Sequence, residues 1–148
     1  MILVDTSILV RLTDPEIAGI VRPHLLSGAV ATCGLVELEL LSRITEPARL
    51  VELTRLRSAA FHWLATTDDE LHAAIRDQHE LLESGQPAAC WAARLIAAVA
   101  RRHQVPVLHA DPCFDRIGKL TGQDTQSVVP DGGTGRGVDR RDGCTRTL

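Results

Sequence analysis

The sequence predicts a single-domain, three-layer α/β fold in which a parallel sheet is flanked by helices. Short apolar segments of strand length alternate with longer helical segments along the chain, which is typical of such sheets. A hydrophobic content of 45% over 148 residues is enough for one compact core. With two Phe, two Trp and no Tyr, that core must be mainly aliphatic.

Hydrophobic periodicity and capping signals predict the individual elements. Residues Ile2-Leu3-Val4 are β-prone and end at Asp5, and Thr6 or Ser7 is expected to cap the helix that follows. Asp and Thr residues ahead of acidic or proline-containing first turns predict further helix starts. The predicted strands are 2–4, 29–33, 105–108 and 127–129, and the predicted helices are 8–12, 14–27, 35–44, 47–61, 66–84, 92–103 and 114–120.

The composition changes near the C-terminal end of the sequence. Residues 1–130 hold the apolar segments of the predicted domain, whereas residues 131–148 are rich in Gly, Arg, Asp and Thr. Such a segment cannot bury enough apolar surface to order itself, so we expect it to be disordered. Its four Arg against three Asp are too balanced to indicate RNA binding.

Charge and cysteine usage limit the class of protein. The net charge of −3 and pI near 6.0 disfavour nucleic-acid binding through bulk charge, so an RNA-binding role would need a local patch or a bound metal. The four cysteines form no CxxC pair, which favours free thiols in a reducing cytoplasm. The N-terminus lacks the basic leader of a signal peptide and no apolar run reaches membrane-spanning length.

Three acids are candidates for a metal site. Asp5 and Asp111 each follow a predicted strand, and Glu39 lies one turn into the helix after the second strand. Ligands bind beyond the C-terminal ends of parallel strands, so these carboxylates are expected to face one crevice. Their mutual repulsion would favour a shared cation, and Mg²⁺ prefers oxygen ligands.

Each acid also has a purely structural interpretation. Asp5 precedes Thr-Ser and could cap a helix, and Asp111 before Pro could be a turn residue. Glu39 and its neighbour Glu37 could be solvated helix residues, which is what we expect for Glu37. Asp115 could cap or brace the last helix. Spacing alone does not choose between these roles.

Other potential sites carry weaker signals. The six histidines show no HExxH motif and are expected mostly at the surface, with His109 in a structural role. The cluster Arg101-Arg102-His103 is expected to complement the dipole at a helix end. The sequence contains neither a GxxxxGK[ST] phosphate loop nor a GxGxxG after a strand, which disfavours a nucleotide-binding domain.

The same residues, taken together over about 1–130, resemble the PIN domains of VapC toxins. The opening Ile-Leu-Val-Asp5-Thr6-Ser7 is similar to the start of that family, and Ala31 to Glu39 is similar to its acidic helix segment. The run from Leu95 to His109 resembles its late helix-to-strand unit. The resemblance implies that Asp5, Glu39 and Asp111 bind Mg²⁺ or Mn²⁺, with Thr6 and Asp115 in support.

Two positions depart from the family pattern. Relatives usually carry a metal-binding Asp where this sequence has Ala93, and often a second acid where it has Cys113. The site therefore loses charge and a ligand, which should lower its affinity for a metal that binds only well-placed oxygens.

The resemblance implies an RNA-cleaving toxin that is neutralised by a cognate antitoxin and forms homodimers in the cytoplasm, without membrane contact. Ala93 and Cys113 keep an alternative open, which is a PIN domain that binds antitoxin or RNA without cutting. The leucine-rich helices over 35–41 and 50–56 are candidate contact surfaces, and core packing explains them equally well.

Overall fold

The computed structural model describes residues 1–87 and 89–128. The strands are β1 (Ile2–Val4), β2 (Val30–Cys33), β3 (His62–Leu64), β4 (Val107–His109) and β5 (Thr125–Ser127). The helices are α1 (Thr6–Leu9), α2 (Pro15–Leu26), α3 (Gly34–Leu41), α4 (Pro47–Ala60), α5 (Asp68–Glu83), α6 (Trp91–Arg102) and α7 (Pro112–Thr121). No helix within these two ranges has the length and apolar character needed to cross a membrane.

The five strands form one parallel sheet in the order β3-β2-β1-β4-β5. In the central strand, Leu3 pairs with Ala31 on one side and with Val107 on the other. All three residues of β1 are buried although successive side chains point to opposite faces. Both faces of the sheet are therefore covered, which confirms the predicted α/β fold class.

Helix α6 is the most deeply buried helix in the described part of the chain. Eight of its twelve residues are buried, and Ala93, Ile96, Ala97, Val99 and Ala100 belong to the main core. It packs against α3, α5 and α7. The small alanines let these neighbours approach closely, so α6 fixes where the ends of the flanking helices stand relative to the sheet.

Most predicted elements are confirmed, with two differences. Strand β3 was not predicted, because it is a three-residue edge strand in which only Leu64 is buried. Strand β5 lies at 125–127, two residues earlier than predicted, and residue 129 falls outside the described residues. The predicted disordered tail, 131–148, also lies outside them. Asp5, and not Thr6 or Ser7, caps α1.

The basic cluster at the end of α6 forms ion pairs across helices. Arg101 contacts the buried Asp77 carboxylate at 3.1 Å, and Arg102 contacts Glu70 at 2.9 Å. Glu70 also accepts from Thr67 N–H at 2.6 Å in the capping box of α5. The expectation that these cations only complement the helix dipole is therefore incomplete, because Arg101 and Arg102 link α6 to α5 through ion pairs.

Glu37 is buried, which corrects the expectation of a solvated residue. Its carboxylate accepts from the Thr32 hydroxyl at 2.6 Å and from Arg57 Nε at 2.6 Å. Arg57 lies on α4, twenty residues along the chain, and its guanidinium stacks on Phe61 at 4.2 Å. No α4 residue is classed as buried, so this ion pair is the main polar link between α4 and the core.

The leucine-rich segments are not simple core. Leu38 on α3 is 71% exposed, and Val51 and Leu56 on α4 are 70% and 56% exposed. Trp63, on edge strand β3 and in contact with Gly34, is 63% exposed. Core packing therefore does not explain these side chains, although Leu35 and Leu40 pack against the core, and the contact-surface role stays a prediction.

Replacing Arg57 by Met should lower the free energy of unfolding by about 3 kcal/mol, because it leaves the Glu37 carboxylate buried without its partner. Urea denaturation measures the change. The matched control is Arg49→Met, whose ion pair with Glu52 is exposed on the same helix and should contribute under about 1 kcal/mol. Equal losses in the two variants would contradict a structural role for the buried pair.

Candidate functional site at the C-terminal edge of the sheet

Asp5 is fixed where β1 ends. Its backbone N–H donates to Leu108 C=O at 3.0 Å, continuing the pairing of β1 with β4. One carboxylate oxygen, Oδ2, accepts from Ser7 N–H at 2.9 Å as the cap of α1. The residue is fully buried. The structure thus confirms the capping role, and the cap holds the carboxylate in one orientation at the edge of the sheet.

Asp111 stands at the same edge, just beyond β4. It caps α7, and its Oδ1 accepts from Cys113 N–H at 2.9 Å. Ser7 connects the two acidic ends, because its hydroxyl accepts from Ala110 N–H at 3.0 Å. The hydrogen bonds at Asp5 and Ser7 therefore tie the end of β1 to the end of β4 and bring two of the three candidate acids to one place.

His109, the last residue of β4, lies among these acids. It is fully buried and packs on Phe114 with ring centroids 5.0 Å apart. Its Nε2 lies 3.6 Å from Asp115 Oδ1. Burial lowers the pKa of His109, against the opposing pull of Asp115, Asp5 and Asp111. The imidazole is thus kept towards its neutral form and gives these carboxylates little positive charge.

Glu39 approaches from α3. That helix packs against α1, and Cys33 is its N-cap residue. Burial raises the pKa of the Cys33 thiol, and the Asp5 carboxylate adds to this rise, so α3 starts beside Asp5. One oxygen of Glu39, Oε2, is buried. Within residues 1–87 and 89–128, however, no three or more His, Cys, Asp and Glu side chains stand close enough to hold a metal.

The donor set nevertheless suits one kind of metal site. Mg²⁺ usually keeps several waters and is held by one or two carboxylates together with substrate phosphates. Asp5 and Asp111 meet that requirement in chemistry, and both follow strands that end at the same edge of the sheet. Thr6, beside Asp5, adds a buried hydroxyl that makes no hydrogen bond within the described part of the chain. These residues fit a water-rich Mg²⁺ or Mn²⁺ site and do not fit a closed cage of protein ligands.

The two departures from the family pattern lie close to this edge. Ala93 is fully buried on α6, so no polar group reaches the site from that position. Cys113 is half-buried, and burial raises the pKa of its thiol, with a further contribution from the nearby Asp111 carboxylate. A neutral thiol thus replaces a negative charge beside Asp111.

Two contributions to the site were missed in the sequence. Ser7 was expected only as a possible helix cap, although a hydroxyl directly after Asp-Thr could have suggested a link between strands. His109 was expected in a structural role, and its burial among three acids depends on side chains from β1 and α7 that spacing does not bring together.

Comparison with known proteins agrees with the fold. The family model described as the PIN domain matches residues 2–120. That match covers more than half of the sequence and includes Asp5, Glu39 and Asp111. The chain therefore belongs to the PIN-domain family.

Curated relatives place it among PIN domains of the VapC type. The chain is 34% identical over 133 residues to Ribonuclease VapC51 of Mycobacterium tuberculosis, covering 88% of this chain and 94% of that protein. It is 32% identical over 133 residues to Ribonuclease VapC21 of the same species, covering 88% and 95%.

Solved structures share the fold at lower identity. VapBC2 of Rickettsia felis, bound to a DNA fragment from its promoter, gives a TM-score of 0.66 at 13% identity, with 86% of this chain and 98% of that chain covered. VapBC-5 of Mycobacterium tuberculosis, a member of the VapBC family of toxin–antitoxin systems, gives 0.60 at 24% identity with the same coverage.

Replacing Thr6 by Val should leave the free energy of unfolding unchanged or raise it by about 1 kcal/mol, because a buried hydroxyl without a hydrogen bond costs desolvation. Thr32→Val is the matched control. Its hydroxyl donates to the Glu37 carboxylate, so its loss should cost roughly 1.5–3 kcal/mol. Chemical denaturation compares the two, and destabilisation of both variants to the same extent would show that the Thr6 hydroxyl has a structural partner.

Proposed function

We propose that this chain is a metal-dependent endoribonuclease toxin of a toxin–antitoxin pair, acting in the cytoplasm. The observation that carries the proposal is the hydrogen-bonded junction of β1 and β4, which brings Asp5 and Asp111 to one edge of the sheet. Two VapC relatives named ribonucleases share about a third of its residues over most of its length.

Asp5, Glu39 and Asp111 would hold Mg²⁺ or Mn²⁺. Bound there, the metal would supply an activated water and neutralise charge on the phosphodiester. The chain's own residues position these groups. The helix-cap bonds of Asp5 and Asp111 fix one oxygen of each carboxylate. The Thr6 hydroxyl, which makes no hydrogen bond within the described residues, would support Asp5 once a metal is bound.

Asp115 and His109 complete the surroundings of the carboxylates. Asp115 adds a partly exposed carboxylate next to the buried imidazole. Because burial lowers the pKa of His109, this residue does not compete as a cation for the same acids. The acids then retain the negative charge that a divalent cation requires.

A cognate antitoxin, and a second copy of this chain, are the proposed protein partners. The solved structures of similar fold include one titled a toxin–antitoxin complex, from Klebsiella pneumoniae. In this chain, the apolar side chains of Leu38, Val51, Leu56 and Trp63 are exposed. A partner that covered such side chains would remove their apolar area from water, which is the main driving force for such contacts.

A second candidate function is a PIN domain that binds its antitoxin or RNA without cutting. One observation favours it. The side chain at 93 is a fully buried methyl group, and the described residues contain no assembled group of three metal-binding side chains.

Cleavage of single-stranded RNA by the purified chain, with Mg²⁺ or Mn²⁺ and with EDTA, tests the proposal. We expect metal-dependent cutting that falls more than about 100-fold in Asp5→Asn, since losing even an outer-shell partner costs roughly 10–100-fold. Asn preserves the helix cap while removing the charge. Asp14→Asn makes the same change in the cap of α2 and should retain activity.

Ala93→Asp in the same assay separates the two functions. Cutting by the parent, accelerated by Ala93→Asp, supports an enzyme with a weakened metal site. A silent parent that becomes active in Ala93→Asp identifies a disabled toxin and contradicts the enzyme proposal. Melting curves with and without Mn²⁺ check that the new buried carboxylate is tolerated, and Ala93→Asn controls for its size.

A further inference from the structure

Arg116 on α7 is held in an unusual way. Its side chain is half-buried, and its Nη2 contacts the Cys113 sulfur at 3.2 Å. Its Nε is buried and makes no hydrogen bond with any residue in the ranges that the structure describes. Within those ranges it forms no ion pair with a carboxylate either, although Arg is always charged.

Two other partly buried arginines of this chain are paired with carboxylates. Arg57 pairs with Glu37 and Arg101 pairs with Asp77. A guanidinium removed from water normally needs such a partner, because burying an uncompensated charge is costly. A thiol is a weak acceptor and carries no charge when protonated. Arg116 therefore keeps most of its capacity to bind an anion.

The cause lies at position 113. Residues three apart on a helix are neighbours, so an acid at 113 would form an ion pair with Arg116. This chain has Cys113 there, and the Arg116 guanidinium contacts its sulfur, a weak acceptor, instead of a carboxylate. Compared with an acid at position 113, the cysteine lacks a negative charge, and the Arg116 guanidinium lacks the ion pair that this acid would form.

The Arg116 guanidinium lies beside the candidate site. The Cys113 backbone donates to Asp111 Oδ1 at 2.9 Å, and the Cys113 thiol lies within hydrogen-bonding range of the Asp111 carboxylate. Cys113 therefore contacts both Asp111 and the Arg116 guanidinium. An RNA strand whose scissile phosphate reaches Asp5 and Asp111 would bring a backbone phosphate near Arg116.

We propose that Arg116 is a substrate-binding residue that takes a backbone phosphate of the RNA at the Asp5–Asp111 edge. The inference rests on the proposed function for its ligand. Guanidinium groups bind phosphate through charge-assisted hydrogen bonds, and Arg116 Nη2 has the weakly accepting Cys113 sulfur as its partner within the described ranges. Part of the attraction for RNA then comes from the protein rather than from a metal, in a chain whose net charge is −3.

The test is binding of a short fluorescein-labelled oligouridylate in EDTA, followed by fluorescence anisotropy over a range of salt concentrations. Arg116→Gln should weaken binding at least about tenfold, because a hydrogen bond to a charged group contributes roughly 1.5–3 kcal/mol. The slope of log K against log salt should fall by about 0.7, as expected for one lost phosphate contact on a single strand. Arg116→Lys should retain part of the affinity.

Two further comparisons isolate the mechanism. Lys119→Gln removes an exposed cation from the same helix and should change binding little. Cys113→Asp adds an acid typical of relatives, and it should weaken RNA binding because the new carboxylate forms an ion pair with Arg116. Cys113→Ser adds no charge and should leave RNA binding unchanged. In the Arg116→Gln background, Cys113→Asp should have little additional effect, so the two changes are not additive.

The outcomes are distinct from those of the cleavage assay. RNA binding that depends on Arg116 in a chain that does not cut supports this inference and removes the enzyme proposal. If the parent cuts RNA, and a folded Arg116→Gln variant, checked by its melting curve, binds RNA as tightly as the parent, the inference is overturned. The enzyme proposal then stands. Equal losses in Lys119→Gln and Arg116→Gln, or no binding by the parent, also overturn it.

Discussion

The parallel pairing of β1 with β4 is the constraint on which the candidate site depends. The N–H of Asp5 binds Leu108, and the Ser7 hydroxyl receives the N–H of Ala110, so the ends of both strands are fixed to each other. The acids that follow these strands are therefore held at the same edge of the sheet. Burial lowers the pKa of the neighbouring His109, so its imidazole gives them little positive charge.

Charge at this edge is distributed differently from the family pattern. Ala93 and Cys113 remove two acids, while Arg116 is left without a carboxylate partner among the described residues. Fewer carboxylates hold a metal less tightly, and an unpaired guanidinium attracts phosphate more strongly. Under the proposed function, both changes would shift the binding of an RNA backbone from the metal towards the protein.

The sequence predicts the elements whose signals are local. The run Ile-Leu-Val before Asp5 gives β1, and the Thr67–Glu70 capping box gives the start of α5. The candidate acids Asp5 and Asp111 could be selected because each directly follows a strand. In each case the deciding residues lie within a few positions of one another, so spacing is sufficient.

Contacts between distant segments could not be predicted in this way. Glu37 was expected in solvent because its partner Arg57 lies twenty residues further along. Strand β3 was missed because an edge strand needs few apolar residues. The assignment of Glu39 as a ligand stays a prediction, since its distance from Asp5 depends on how α3 packs on α1.

Binding of Mn²⁺ to the isolated chain, measured by electron paramagnetic resonance of the free ion, tests the proposed metal site most directly, because it requires neither RNA nor turnover. We predict one saturable site per chain that is lost in Asp5→Asn and retained in Asp14→Asn. A chain that binds no Mn²⁺, or that binds it equally well after Asp5→Asn, would contradict the assignment of this edge as a metal centre.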